Sequence, residues 1–272
     1  MAQAAEYNGT TPELAPPADS ARWDFFVGGK TVVGLISALE EELTRFREHA
    51  EIDQVVRQSG LEFHLGRFEG CDVILLRCGV GKVNAAVATQ LLIDRFGARA
   101  VVFTGLAGTL VPYLKRGDVV ISNYAVQHDI DLTAFGRRPG QLSDTTRQIE
   151  ADPTLVAAAS EAYDEVAQAQ GLTSQMVVGT LATGDTFISD PSRIRWLQRE
   201  FGAVAADMEG GAVGQVCSMN RVPFVVIRVI SDAAGDQAAS QFITFLDRAS
   251  DLTYEITAAL VRRLPKPKTS SD

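Results

Sequence analysis

Short runs of β-branched and apolar residues recur along this chain, each closed by a glycine-rich or acidic turn and most followed by a helix-forming segment. This alternation restricts the fold more than any other feature. Positions 31–37 read as a buried strand, and Glu40-Glu41-Glu42 open the helix after it. Strands at 62–68 and 71–77 are joined by Glu69-Gly70, a two-residue hairpin signal. Gly79-Val80-Gly81 opens a helix whose apolar face is expected at Val83, Val87 and Leu91, with Gly97 as its stop. Further strands are expected at 100–105, 117–126, 176–183 and 222–230, and helices at 153–168, about 209–220 and the C-terminal stretch. That last helix carries an apolar stripe of Phe242, Phe245, Leu246, Ala249, Leu252, Ile256 and Leu260. The expectation is one α/β domain, a three-layer sandwich with a mixed, largely parallel central sheet and helices on both sides. It spans 31–264, between a disordered tail over 1–30 and a flexible tail over 265–272.

Composition removes several function classes. A net charge of −9 with scattered basic residues opposes nucleic-acid binding, which needs clustered Lys and Arg to displace counterions. The clusters Arg137-Arg138 and Arg262-Arg263 read as a solvated loop and a helix C-terminus meeting its dipole. Apolar runs such as 223–227 stop well short of the roughly 18 residues a membrane span requires. The first residues lack the basic start and apolar stretch of a secretory signal. Three cysteines, an odd number outside any paired framework, fit a reducing cytoplasm.

Ligands in open α/β sheets sit at the carboxyl ends of strands, so the polar residues just past each strand are the first candidates. Four places qualify: Glu40 to Glu42, the turn 105–108, Asp207-Met208-Glu209, and Arg228 to Asp232. Each has a plain structural explanation. Three glutamates in a first helical turn favour the helix dipole, and with about 100° between successive residues at most one of them faces a given pocket. Asp207 and Glu209 fit an acidic N-cap and first turn. Arg228 is harder to dismiss, because a lone arginine on a central apolar strand needs a carboxylate partner, either Glu42 or Glu209. The three histidines are far apart and show no zinc spacing. No G-x-S-x-G elbow occurs, and Gly79-Val80-Gly81-Lys82 lacks the full phosphate-loop pattern.

Taken together, seven blocks resemble the 5'-methylthioadenosine/S-adenosylhomocysteine nucleosidases of the nucleoside phosphorylase/nucleosidase superfamily. They are 34–42 (GLISALEEE), 79–83 (GVGKV), 104–108 (TGLAG), 128–135 (HDIDLTAF), 182–188 (ATGDTFI), 207–210 (DMEG) and 228–232 (RVISD). The resemblance implies a hydrolase that releases adenine from methylthioadenosine and S-adenosylhomocysteine, with 5'-deoxyadenosine as a further substrate and with neither metal nor cofactor. It implies that Asp232 supplies a proton to purine N7 and that Glu42 is the general base on water. Arg228 would hold water and sugar. Glu209 and the Met208 backbone would bind the ribose hydroxyls, Ser231 would orient Asp232, and Ala38 would line the substrate. Adenine would lie against Phe187 and meet the Ile188 backbone. Leu132 and Phe135 would reach a neighbouring subunit's site in a homodimer.

Two positions depart from the family pattern. Leu106 stands where Ser or Thr is frequent, and Asp207 where Glu is commoner. A phosphate-dependent phosphorylase is disfavoured, because related phosphorylases place arginines where this chain has Glu42 and Thr104, and a carboxylate repels phosphate. A nucleosidase for 6-amino-6-deoxyfutalosine or another purine nucleoside is the nearer alternative. A nucleoside-binding protein without chemistry is opposed by the joint presence of Glu42, Glu209 and Asp232.

Overall fold

The computed structural model describes residues 32–141, 147–232 and 238–266. The expected tails, 1–30 and all of 265–272 beyond Lys266, lie outside the described residues.

The central strand β1 (Val32–Ser37) runs parallel to β4 (Cys71–Arg77) on one side and β5 (Ala100–Thr109) on the other. From β4 the sheet continues through antiparallel β3 (Leu61–Phe68) to the edge strand β2 (Glu51–Gln58). The β3–β4 hairpin turns at Glu69-Gly70 with φ values of 50° and 78°, the paired positive φ that a two-residue type I' connection needs. β2 is a strand with no signal in the sequence. Its EIDQVVRQ is mostly polar and exposed on both faces, so it shows no period-2 alternation.

On the other side the sheet closes on itself. β5 pairs with parallel β10 (Phe224–Asp232) and with antiparallel β9 (Ala203–Asp207). β10 pairs with antiparallel β6 (Val119–Gln127), β6 with parallel β8 (Met176–Thr183), and β8 with parallel β9. Five strands thus form a ring that shares β5 with the open part of the sheet, and the two-residue β7 (Ile149–Glu150) adds to β6. Every residue of β10 is buried, as expected of a strand covered on both faces. Each such Val or Ile contributes roughly 1.5–3 kcal/mol on burial.

The helices fall into two groups. The long α6 (Ala238–Arg263) packs on β5, β10, α1 (Glu40–His49) and α3 (Pro153–Gln170). The second group pairs α2 (Lys82–Asp94) with α5 (Gly210–Asn220), while α4 (Pro191–Phe201), a further helix the sequence left unread, sits against β8 and β9. Helix α2 is rotated from its expected orientation. Its buried face is Ala85, Ala88, Thr89 and Leu92, while Val83 and Val87 are 72% and 42% exposed. The covered face is the one with the small alanines and Leu92, which also reaches Gly34 of β1, and the valines turn outward beside α5. Along α6, Ala249, Ile256 and Leu260 are buried as expected, but Phe242, Phe245, Leu246 and Leu252 are only partly covered. Among the described residues no helix is long and apolar enough to cross a membrane.

Candidate active site

The parallel trio β1, β5 and β10 delivers its carboxyl ends to one place, and the β9–α5 junction meets them there. At the base lies Arg228, 1% exposed on β10. Its direct partner is Asp207 at the end of β9, which accepts from Nη2 at 2.6 Å and from Nε at 3.1 Å. The expected pairing with Glu209 is present at longer range, its Oε2 3.9 Å from Nη2, and the partner the sequence missed is the closer one, Asp207. Asp207 also accepts from the Gly210 amide at 2.8 Å and from Thr183 Oγ1 at 2.5 Å, so the expected capping role holds and the bond to Arg228 is a second, unexpected one. It caps α5 and neutralises the arginine. The guanidinium stacks over Phe103 with its carbon 4.0 Å from the ring centroid. Burial opposes its charge, but Asp207, Glu209 and Glu42 together hold its pKa above the ordinary arginine value.

Of the three adjacent glutamates, Glu40 and Glu41 face solvent and Glu42 turns inward. Glu42 is the third residue of α1, and its Oε2 reaches back to the amides of Ala38 and Leu39, each at 2.9 Å. That is the glutamate half of a capping box, but with Leu39 at the N-cap the sequence lacks the Ser/Thr half that would have marked it. Its Oε1 accepts from the Leu106 amide at 3.1 Å. The approach requires a glycine next door, since a Cβ on Gly105 would stand 2.6 Å from Glu42 Oε1 and 2.7 Å from Arg228 Nη1. Burial raises the pKa of Glu42 against the pull of Arg228 and of the three amides. A carboxylate so held is a proton acceptor shielded from bulk water.

Glu209 is the N-cap residue of α5 and accepts from the Gly81 amide, in the turn before α2, at 2.9 Å. Burial first, then the neighbouring Asp207, pushes its pKa up to about 7. Asp232 ends β10 just past an irregularity in the pairing with β5. The Ser231 hydroxyl donates to Asp232 Oδ2 at 2.8 Å, and both residues are buried.

These groups line a cleft of about 330 Å3. Of the residues expected at the site, Ala38, Glu42, Leu106, Phe187 and Ile188 border it. So do Met208, Glu209, Ser231 and Asp232, while Arg228 lies beneath the floor. The sequence missed Val80, Thr186, Phe242 and Ile243, which also line it. Phe242 meets Phe187 edge-on at 6.4 Å, so a residue read as core stripe is part of the cleft wall. Phe135 is elsewhere: it ends a single 3-10 turn, Thr133–Phe135, 82% exposed and outside its own chain's cleft. Thr104 turns away from the site, bonded to the Thr257 hydroxyl on α6 at 3.2 Å. A larger hollow of about 740 Å3 beside Tyr124 and Met219 gathers no comparable chemistry, for its Arg147 is paired with Glu200 at 2.5 Å. Among the described residues no cluster of His, Cys, Asp and Glu is placed to hold a metal ion. The cleft offers four buried carboxylates, Glu42, Asp207, Glu209 and Asp232, with Asp207 bonded to the arginine, and an apolar wall. It suits a flat base joined to a hydroxylated ring.

Comparison with known proteins points the same way. Residues 32–262 match the family model described as the phosphorylase superfamily. The chain is 41% identical over 235 residues to the 5'-methylthioadenosine/S-adenosylhomocysteine nucleosidase of Geobacillus sp. (strain WCH70), covering 86% of this chain and 99% of that one. Among solved structures it is similar to the nucleosidase of that name from Colwellia psychrerythraea 34H in complex with adenine. That match has a TM-score of 0.81 and 35% identity, over 86% of this chain and 95% of the other. It is also similar to the futalosine hydrolase of Helicobacter pylori, with a TM-score of 0.80 and 33% identity over 86% and 98% of the two chains.

Proposed function

This chain belongs to the phosphorylase superfamily, and we propose that its cleft performs the hydrolytic chemistry of the nucleosidases within it. It cleaves the N-glycosidic bond of 5'-methylthioadenosine and S-adenosylhomocysteine, with 5'-deoxyadenosine as a further substrate, and releases adenine. The observation that carries this reading is the place of Glu42. A desolvated carboxylate fixed by three amides at the end of β1 and β5 suits a water and repels a phosphate dianion.

In this reading Asp232 protonates purine N7, so adenine departs as a neutral base while the ribosyl carbon gains oxocarbenium character. Ser231 holds the Asp232 carboxyl in orientation. Glu42 takes the proton of the attacking water, and Arg228 helps to hold water and sugar from below. Glu209, with the Met208 backbone, binds the ribose hydroxyls, and its Gly81 bond keeps it aimed into the cleft. Phe187 and the Ile188 backbone receive adenine, with Ala38 and Leu106 beside the sugar. The catalytic unit is 31–264, with the tails outside it.

The homodimer expected from Leu132 and Phe135 is part of the proposal. Exposed Phe135, Val80, Val83, Val87 and Met219 are apolar surface of the kind a partner covers. A reducing cytoplasm fits three buried cysteines, all unpaired. The test is adenine release from methylthioadenosine, S-adenosylhomocysteine and 6-amino-6-deoxyfutalosine. The likeness to a futalosine hydrolase makes the last the second reading. A kcat/KM highest for either adenosine thioether supports the first reading; release from none of the three removes both.

A further inference from the structure

Three charged residues from the sequence blocks remain without a task in this mechanism: Lys82 of the GVGK turn, Asp129 of the HDID segment and Asp185 of the TGD turn. The fold brings them together. Lys82 Nζ meets Asp129 Oδ1 at 2.6 Å, and the other oxygen of Asp129 accepts from the Asp185 amide at 3.0 Å. Asp185 Oδ1 in turn accepts from the Lys82 amide at 2.8 Å. Helix α2 begins at Lys82 behind Gly81, which has no side chain to cap it, so Asp185 supplies the missing acceptor from another part of the chain.

Each member adjoins a piece of the cleft. Gly81, immediately before Lys82, donates to Glu209 at 2.9 Å, and a Cβ there would sit 3.1 Å from Asp185 Oδ1. Asp185 is followed by Thr186, Phe187 and Ile188, all of which line the cleft. The base of the arrangement is tightly packed: His128 donates its amide to the Thr183 carbonyl at 2.9 Å, and a Cβ on Gly184 would lie 2.5 Å from His128 Nε2.

We propose that Asp129, Lys82 and Asp185 form a latch that positions Glu209 and the Phe187–Ile188 wall for substrate. They are positioning residues, acting through the Gly81 amide and the backbone of the TGD turn. Ile188 is buried, but Phe187 is 45% exposed and meets only the edge of Phe242 among the aromatic rings, so the tie at Asp185 bears most on Phe187. Lys82 and Asp129 are themselves 18% and 25% exposed, which lets them be exchanged without opening the core.

The substrate roles rest on the nucleosidase reading, and two measurements separate the latch from it. In the full-length protein, Asp129→Asn keeps an acceptor for the Asp185 amide but removes the charge that holds Lys82. Lys82→Met removes the other half and keeps the stem. Both are expected to speed amide hydrogen exchange together at 79–82 and 184–188. KM for methylthioadenosine should rise about three- to tenfold, the scale of one lost hydrogen bond, with kcat nearly unchanged. Lys82→Arg should restore KM, and the double variant should be no worse than the more impaired single one. Unchanged exchange at either segment, or a fall in kcat at constant KM, overturns the proposal. The exchange arm needs no turnover. Should the wild-type chain release no adenine, the nucleosidase reading fails, and loss of protection at both segments still supports the latch.

Discussion

Replacing Asp207 with alanine removes the counter-charge of a fully buried arginine. Arg228 loses contacts of 2.6 and 3.1 Å and keeps Glu209 at 3.9 Å together with the face of Phe103. Breaking a buried pair by deleting one partner costs about 3–5 kcal/mol, because the remaining charge stays desolvated. At about 2–4 °C per kcal/mol for a domain of this size, melting falls by roughly 6–20 °C. Part of that loss disappears if Glu209 swings onto Arg228. To do so it must release the Gly81 amide, and KM for the nucleoside rises instead. Thermal unfolding followed by circular dichroism, with KM measured on the same preparation, reads both. Asp207→Asn, which keeps one acceptor oxygen for either Thr183 or Gly210 but not for both, should fall between alanine and wild type. A variant that melts within about 2 °C of wild type and keeps its KM refutes the role given to Asp207.

Three further outcomes are expected. Asp232→Asn and Glu42→Gln should each lower turnover by at least about a hundredfold while remaining folded, and near-wild-type kcat in either removes its assignment as acid or base. Glu209 has a folded pKa raised from 4.5 to about 7, so it contributes stability fully present below 4.5 and lost as pH rises to about 7. The stability difference between wild type and Glu209→Gln, from urea unfolding, should therefore fall across that window; a flat or rising difference contradicts it. Leu106→Ser adds back a hydroxyl worth about 0.5–1.5 kcal/mol, so turnover should change by no more than about tenfold and gain no phosphate dependence. A rise of several orders of magnitude would mean that the native protein is specialised for another substrate.

The strand ends were legible in the sequence because buried parallel strands announce themselves as short β-branched runs closed by turns. The residues just beyond them could be named on that basis. Which of Glu40, Glu41 and Glu42 faces inward was not legible from periodicity. The structure resolves it by starting the helix after Leu39, so that Glu42 is the third helical residue and reaches back to the Leu39 amide. Asp207 hid behind its own adequate explanation as a helix cap, and its bond to Arg228 depends on β9 and β10 converging across the ring. Closure of that ring rests on β5 pairing with both β9 and β10, contacts remote in sequence that leave no local pattern. Phe242 and Ile243 carry the same apolar signature whether they face core or cleft, so helical periodicity placed Phe242 in the core. Val83 and Val87 of α2 face outward against expectation because the sequence shows which residues are apolar, while the rest of the fold decides which face of the helix is covered.

The most direct test of the central claim is the identity of the sugar product formed from methylthioadenosine in phosphate buffer. If Glu42 activates water, mass spectrometry should find free 5-methylthioribose beside adenine, with one oxygen taken from labelled water and a rate indifferent to phosphate. Accumulation of 5-methylthioribose 1-phosphate, or turnover that requires phosphate, would contradict the account.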